Sequence, residues 1–167
     1  MTDRVWHLVF MGVSGSGKTT AANAVNERLG WEFAEGDDFH SPEAVEKMAA
    51  GHQLTDADRM PWLGRLAAWA REHDRAGRPT IMSCSALRRS YRDVLRTGGE
   101  HTCFVHLVGD KGLLLERMTA REHFMPPSLL ESQLATLEPL GDDEPGFSVD
   151  VDQTPAAVAD EVLSHLE

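Results

Sequence analysis

The feature that most constrains this chain is the stretch at residues 12–20, which reads GVSGSGKTT. It fits the pattern G-x-x-x-x-G-K-[ST] in full, and an apolar run at 5–11 comes directly before it. Glycines let the backbone curl so that successive N–H groups point at phosphate oxygens, and the following helix adds its positive end. A short pattern of this kind also recurs by chance as a strand-to-helix turn without a ligand. Because it stands between a predicted strand and a predicted helix, we interpret it as a nucleotide-binding loop.

Two side chains of this loop are predicted to act on the nucleotide. Lys18 can bridge the β- and γ-phosphates, and the Thr19 hydroxyl can ligate Mg²⁺. ATP and Mg²⁺ are therefore the expected cofactors. Further contacts are expected from the rest of the loop, namely from Gly12, Ser14, Gly15, Ser16, Gly17 and Thr20.

Short apolar runs alternate with helical patterns along the chain, which predicts a parallel sheet covered by helices on both faces. The predicted strands are 5–11, 31–34, 80–84, 102–108 and 147–151. The predicted helices are 19–29, 42–51, 55–74, 86–96, 111–121, 128–137 and 155–166, with Ser41, Thr55 and Ser128 as starting residues. Ligands of such sheets lie beyond the carboxyl ends of the strands, so functional residues are expected directly after each strand.

Charge and length narrow the range of functions. The chain has 167 residues and a net charge of −11, so we expect one domain over 1–167 that binds neither nucleic acid nor an anionic membrane. No apolar run approaches the roughly 20 residues of a membrane span, and the two cysteines fit reduced core positions. These features favour a cytoplasmic protein.

Several classes of nucleotide-binding protein are disfavoured by what the sequence lacks. It has no Asn-Lys-x-Asp segment of the kind that gives GTPases their guanine specificity, and the strand at 80–84 ends in Ser and Cys rather than Asp. A small-molecule kinase remains, with a P-loop kinase fold, an acceptor-binding region at about 37–75 and a small lid at about 117–135.

The acceptor side needs an acid near the attacking hydroxyl. Asp37 follows the second predicted strand, where its carboxylate could orient the hydroxyl and take its proton late in transfer. Glu35, two residues earlier, is predicted to point the same way and to hold Mg²⁺ through water. The alternative is a solvated acidic turn without a catalytic role.

Positive charge is expected near the transferred phosphoryl group and the acceptor. Arg117 and Arg121 lie on one helix face before a Pro-Pro break, which suits a closing lid, although a surface pair with a neighbouring Glu is the alternative. Arg59 and Arg88 are candidates to bind a substrate carboxylate. The roles of His40 and His123 stay open on the residues alone.

The sequence resembles the small P-loop gluconokinases, which are related to shikimate kinases. The matching stretches are GVSGSGKTT (12–20), EGDDFH (35–40), KMAAG (47–51), LTDADRMPWL (54–63), SCSALRRSYRDVLR (83–96) and HFMPPSLLESQLATLEPL (123–140). The resemblance implies phosphorylation of D-gluconate at its 6-hydroxyl by ATP, and a homodimer.

The resemblance also implies roles for individual residues. Asp37 would face the acceptor hydroxyl, and Arg121 would frame the lid together with Arg117. The acceptor pocket would be lined by His40, Arg59, Arg88, Tyr91 and His123, and Gln153 would lie near the adenine.

Three positions depart from the family pattern. The chain has Glu35 where Asp is usual, Ala44 where Asn is usual and Gln53 where Pro is usual. The chemistry of the residues alone does not separate gluconate from shikimate or another hydroxy acid. A nucleotide-binding protein without transferase activity is the hypothesis from a different class.

Overall fold

The computed structural model describes residues 4–13, 15–52, 54–119 and 127–166. Its strands form one all-parallel sheet, as predicted, and the structure gives their order as β2-β3-β1-β4-β5. The strands are β1 (Trp6–Met11), β2 (Glu32–Glu35), β3 (Thr80–Ser83), β4 (His101–Val108) and β5 (Gly146–Asp150). The helices are α1 (Lys18–Leu29), α2 (Pro42–Ala49), α3 (Asp56–Arg75), α4 (Arg89–Arg96), α5 (Lys111–Thr119), α6 (Pro127–Thr136) and α7 (Pro155–His165).

Local capping signals were read correctly at two helices. The Ser41 hydroxyl accepts a hydrogen bond from the Ala44 N–H, and Pro42 takes the first helical position of α2. At α3, Thr55 and Asp58 form a reciprocal capping box, in which each side chain accepts a hydrogen bond from the other's backbone. Both helices lie on the acceptor side of the fold, so these caps fix its walls.

Three of the boundaries that differ from the predictions bear on the site. Helix α4 begins at Arg89 and not at Ala86, because Ala86 has φ of 46° and Arg88 is extended. Helix α6 begins at Pro127, one residue before the predicted starting residue Ser128. Strand β2 ends at Glu35, and a 3₁₀ turn over Gly36–Phe39 follows. Glu35 and Asp37 therefore do not share the alternation of one strand.

The sheet separates two apolar layers. On β1, Leu8 and Phe10 pack toward α1 and α7, whereas Val9 and Met11 pack toward α3 and α4. All four side chains are buried, which explains why the strand is apolar at successive positions. A third cluster lies beside the phosphate loop and contains Val13, Leu87, Leu114, Met118 and Leu130.

The end of the sheet opposite the phosphate loop is held by a polar network. The buried His7 ring lies 2.7 Å from the Thr80 hydroxyl and 2.9 Å from an Asp74 carboxylate oxygen. Because Asp74 is near the end of α3, this network ties that helix to β1 and β3. Among the helices described, none is both long enough and apolar enough to span a bilayer.

Candidate active site

The phosphate loop packs closely against α5. Gly15 has φ of +84°, and a Cβ there would lie 2.7 Å from the Leu114 carbonyl oxygen and 2.9 Å from the Met118 Cγ. Gly17 has φ of +82° and precedes α1. Both positions need glycine for their conformation, and Gly15 needs it for space as well. The two glycines therefore let the described part of the loop turn beside α5 and enter α1.

The side chains of this loop face ligand positions. The Lys18 ammonium donates to the carbonyl oxygens of Gly12 at 3.1 Å and Val13 at 3.3 Å, so it lies over the loop. Ser16 is buried, and its hydroxyl has no hydrogen-bond partner within the described chain. A buried hydroxyl without a partner is costly, and a phosphate oxygen bound in the loop would satisfy it.

Thr19 and Glu35 come together at the carboxyl end of β2. The Thr19 hydroxyl donates to one Glu35 oxygen at 2.6 Å, and the Ser83 hydroxyl donates to the other at 2.6 Å. A hydroxyl and a carboxylate are oxygen donors of the type that Mg²⁺ takes from a protein, with water and phosphate completing its shell. The donor set therefore fits the expected cation.

A cleft on one side of the loop suits the nucleoside. It is lined by Gly15, Ser16, Gly17, Thr20, Ala21, Arg117, Val151, Gln153, Pro155 and Val158. The Arg117 guanidinium donates to the Val151 carbonyl at 2.8 Å, which links α5 to the segment after β5. The Gln153 amide donates to the Asp150 carbonyl at 2.8 Å. Both predicted nucleotide residues thus lie in the cleft that contains Gly15–Gly17.

A second cavity lies on the other side of Lys18. Of the predicted residues, it brings together Lys18, Glu35, Asp37, His40 and Arg59. Its other lining residues are Met48, His52, Leu54, Trp62, Ser83, Cys84, Ser85, Leu87, Ser132, Gln133 and Thr136. Burial raises the pKa of Cys84 to about 12, so this thiol stays protonated.

His40 lies in the wall of this cavity and offers it a polar ring. Its ring stacks on Trp62 with centroids 4.1 Å apart, and only 3% of its side chain is exposed. Its Nδ1 has no partner in the described structure, and its Nε2 lies 3.8 Å from an Asp37 oxygen. Burial lowers the pKa of His40 below 6.5, and Arg65 and Arg59 lower it further against the opposing charge of Asp37. The neutral ring can therefore hydrogen-bond a hydroxyl in the cavity.

Arg59 is oriented by a network that starts on α3. Its guanidinium donates to the Tyr91 hydroxyl at 2.9 Å and lies 5.5 Å above the Tyr91 ring. The Tyr91 hydroxyl in turn donates to Asp56 at 2.5 Å. Burial raises the pKa of Tyr91, and the hydrogen bond to Asp56 adds to that rise. Asp56 thus orients Arg59 through the Tyr91 hydroxyl, and it was not among the predicted site residues.

Two predicted pocket residues lie elsewhere. Tyr91 is 2% exposed and does not line the acceptor cavity, because its hydroxyl is turned toward Asp56 and Arg59. Arg88 is partly buried and is also absent from the lining. Substrate contact by Arg88 and Tyr91 therefore stays a prediction that the lining of this cavity does not support. Ser14, Arg121 and His123 lie outside the described residues.

Three polar residues of α6, namely Ser132, Gln133 and Thr136, also line the cavity and were not among the predicted site residues. They belong to the stretch at 123–140 that carries the family resemblance, which was the only signal available for them. Nothing in their spacing indicates that α6 covers the acceptor cavity.

Comparisons with known proteins agree with this arrangement. A family model described as an AAA domain matches residues 8–140. The gluconokinase of Gluconobacter oxydans is 52% identical over 161 residues, which cover 96% of this chain and 90% of that protein.

Two solved structures are also similar over almost the whole chain. An unliganded sugar kinase from Janibacter sp. has a TM-score of 0.93 and 52% identity, covering 98% of this chain and 95% of its own. A gluconokinase from Sinorhizobium meliloti has a TM-score of 0.87 and 44% identity, covering 97% and 91%.

Proposed function

Since the chain belongs to the gluconokinase family, we propose that it transfers the γ-phosphoryl group of ATP to the 6-hydroxyl of D-gluconate, giving 6-phospho-D-gluconate. The observation that carries this proposal is the acceptor cavity, in which Lys18 of the phosphate loop lies with Asp37 and Arg59. Gluconate has a primary hydroxyl at one end and a carboxylate at the other. The cavity offers an acid for the first and a cation for the second.

Asp37 is the group that acts on the hydroxyl. Its side chain is 77% exposed and borders the cavity, so its carboxylate is available to an incoming substrate. It orients the 6-hydroxyl for in-line attack and takes the proton late in transfer, because phosphoryl transfer depends mainly on positioning and charge stabilisation. Asp37 is the catalytic acid–base group of the proposal.

Arg59 is the group that binds the carboxylate. Sequence reasoning left Arg59 and Arg88 as equal candidates, but only Arg59 lines the cavity. Its hydrogen bond to Tyr91 holds the guanidinium plane in place, which lowers the entropic cost of binding. His40 contacts a hydroxyl in the middle of the substrate.

The nucleotide side completes the proposal. Lys18 moves from the carbonyl oxygens of its own loop to the β- and γ-phosphates, while Arg117 and Gln153 contact the nucleotide in their cleft. Thr19 and Glu35 hold Mg²⁺, which offsets phosphate charge when it is bound. For Arg121, His123 and Ser14, which lie outside the described residues, the proposal rests on the sequence alone: Arg121 acts at the lid, His123 binds the acceptor and Ser14 binds the nucleotide.

The remaining expectations belong to the same proposal. The chain acts as one domain, with an acceptor region at about 37–75 and a lid at about 117–135. It works as a homodimer in the cytoplasm. Size-exclusion chromatography with light scattering tests the dimer, and a monomeric mass at assay concentration would contradict it.

The function is tested by measuring ADP release from Mg²⁺·ATP with D-gluconate, shikimate, AMP and other sugar acids in parallel. We expect turnover with gluconate and only the background rate with the others and without acceptor. Turnover with another acceptor instead would keep the kinase chemistry and overturn the substrate. A folded protein that binds ATP without any turnover would favour a non-catalytic nucleotide-binding protein.

A further inference from the structure

Arg92 on α4 is a buried charged residue that the proposed chemistry does not use. Its side chain is fully buried, and its guanidinium makes a two-pronged ion pair with Glu144 at 2.6 and 3.0 Å. It also donates to the carbonyl oxygens of Ala86 at 2.8 Å and Pro139 at 3.4 Å. One side chain thus joins the loop after β3 to the segment between α6 and β5.

The first of these segments forms part of the acceptor cavity. Ser85 and Leu87, on either side of Ala86, line that cavity. Ala86 has φ of 46°, a conformation that costs free energy for a residue with a Cβ. The hydrogen bond from Arg92 to its carbonyl helps to hold this turn, because it fixes the direction in which the peptide group points.

The second segment continues from the helix that covers the cavity. Ser132, Gln133 and Thr136 line the cavity from α6, which ends at Thr136. Directly after it, the Glu138 N–H donates to the Leu87 carbonyl at 2.7 Å, and a Glu138 carboxylate oxygen accepts from the Arg89 N–H at 2.7 Å. These bonds and the Arg92–Glu144 pair attach the end of α6 to the loop after β3.

The chemistry of the pair indicates positioning more than bulk stability. Apolar side chains of similar volume often fill such a site with equal or greater stability. A guanidinium differs because it presents several donors in a fixed plane, and here it bonds three residues in two segments at once. The hydrogen bonds from Arg92 lower the pKa of Glu144, which keeps its carboxylate charged at neutral pH.

We propose that Arg92 and Glu144 are positioning residues for the acceptor: they hold the loop after β3 and the end of α6 at a fixed spacing, and this spacing sets the fit of gluconate. Neither residue touches the substrate. The inference rests on the proposed function, because it assigns the cavity to gluconate. It predicts that loosening the pair weakens acceptor binding while nucleotide binding is kept.

The test uses the conservative variants Glu144→Gln and Arg92→Lys in the full chain. We expect the KM for gluconate to rise about tenfold in each, with the KM for ATP within about twofold of wild type. Asp143→Asn is the matched control, because it breaks the exposed Arg89–Asp143 pair in the same segment without affecting the buried one. Its KM for gluconate should stay within about twofold of wild type.

A double variant keeps the test informative if the single variants fold poorly. Arg92→Met with Glu144→Leu removes both charges and refills the volume. Circular dichroism establishes that it is folded, and its KM for gluconate should rise as in the single variants. An unchanged KM for gluconate in the folded variants, or an equal rise in both KM values, would overturn the proposal.

The activity of the wild-type protein with gluconate distinguishes a failure of this proposal from a failure of the proposed function. An inactive wild type with gluconate would overturn the proposed function, and the assignment of the pair to gluconate would fall with it. An active wild type with unaffected variants would overturn only the positioning role.

Discussion

The two substrate sides of this site are built in different ways. The nucleotide side is made mainly by the backbone of one continuous stretch, Gly12–Thr20, whose glycines shape the loop. The acceptor side is made by side chains from β2, α2, α3, β3 and α6, which meet only in the folded chain. A site encoded by backbone tolerates few substitutions and is readable from a short motif. A site formed by side chains that are far apart in sequence can change its ligand by substitution, and it is harder to predict from the sequence.

The largest predicted effect is on the acceptor side. Asp37→Asn keeps the shape of the acidic turn but removes the charge that orients the hydroxyl, so kcat should fall about a hundredfold with the KM for ATP nearly kept. Asp38→Asn is the control, because Asp38 is exposed and does not line the cavity. Steady-state ADP release measures both. Equal losses in the two variants would remove Asp37 from its role.

The next effect separates the two arginines. Arg59→Met should raise the KM for gluconate about tenfold or more, because a charged hydrogen bond to the carboxylate is lost. Arg88→Met should change it by no more than about twofold, since Arg88 does not line the cavity. Initial rates at saturating ATP give the comparison. A larger effect at Arg88 would assign the substrate carboxylate to Arg88, at the end of the loop after β3, instead of Arg59 on α3.

A smaller effect is expected when the backbone of the nucleotide side is altered. Gly15→Ala places a methyl group 2.7 Å from the Leu114 carbonyl oxygen, so the loop must shift and the KM for ATP should rise about fivefold. Gly30→Ala is the matched control: Gly30 has φ of +67°, but a Cβ there has nothing within 4 Å. It should lower the free energy of unfolding by about 1 kcal/mol without changing the KM for ATP. Denaturant unfolding and initial rates distinguish the two, and equal KM values would show that the loop is not held by α5.

The smallest effect is on pH dependence and concerns the acceptor side. The pKa of His40 in the folded protein lies below 6.5, mainly because the ring is buried. As the pH falls through 6.5, the unfolded chain binds this proton before the folded one does, so the free energy of unfolding decreases. Burial and Arg92 lower the pKa of His106 in the same direction.

His40→Gln should therefore remove part of this pH dependence and leave the part due to His106. The slope of the free energy of unfolding against pH should decrease by less than about 1.4 kcal/mol per pH unit, which is the limit for one proton. Denaturant unfolding from about pH 7.5 to about pH 5 measures the slope. A slope equal to that of wild type would contradict the assignment.

Local signals made the nucleotide side and much of the fold predictable. The apolar run of β1, the glycine loop and the caps at Ser41 and Thr55 each act within a few residues. The parallel direction of the strands followed from the alternation of strands and helices, but their order in the sheet did not. These features need no knowledge of distant contacts.

Long-range contacts determine the features that the sequence did not predict. Residues 86–88 favour a helix by propensity, but they precede α4 in a turn. The carbonyl of Ala86 in this turn accepts a hydrogen bond from the Arg92 side chain. Tyr91 is predicted to contact the substrate, and nothing in the sequence indicates that its hydroxyl donates to Asp56, which lies 35 residues away. Neither hydrogen bond can be predicted from the residues next to it in the sequence.

The sheet order has a consequence for how the two substrates are handled in time. β1 lies between β3 and β4, and the loop after it separates the cavity beside β2 and β3 from the cleft beside β5. Each substrate thus has its own approach, and neither must leave before the other enters. The reaction should proceed through a ternary complex that forms in either order, so double-reciprocal initial-rate lines intersect instead of running parallel.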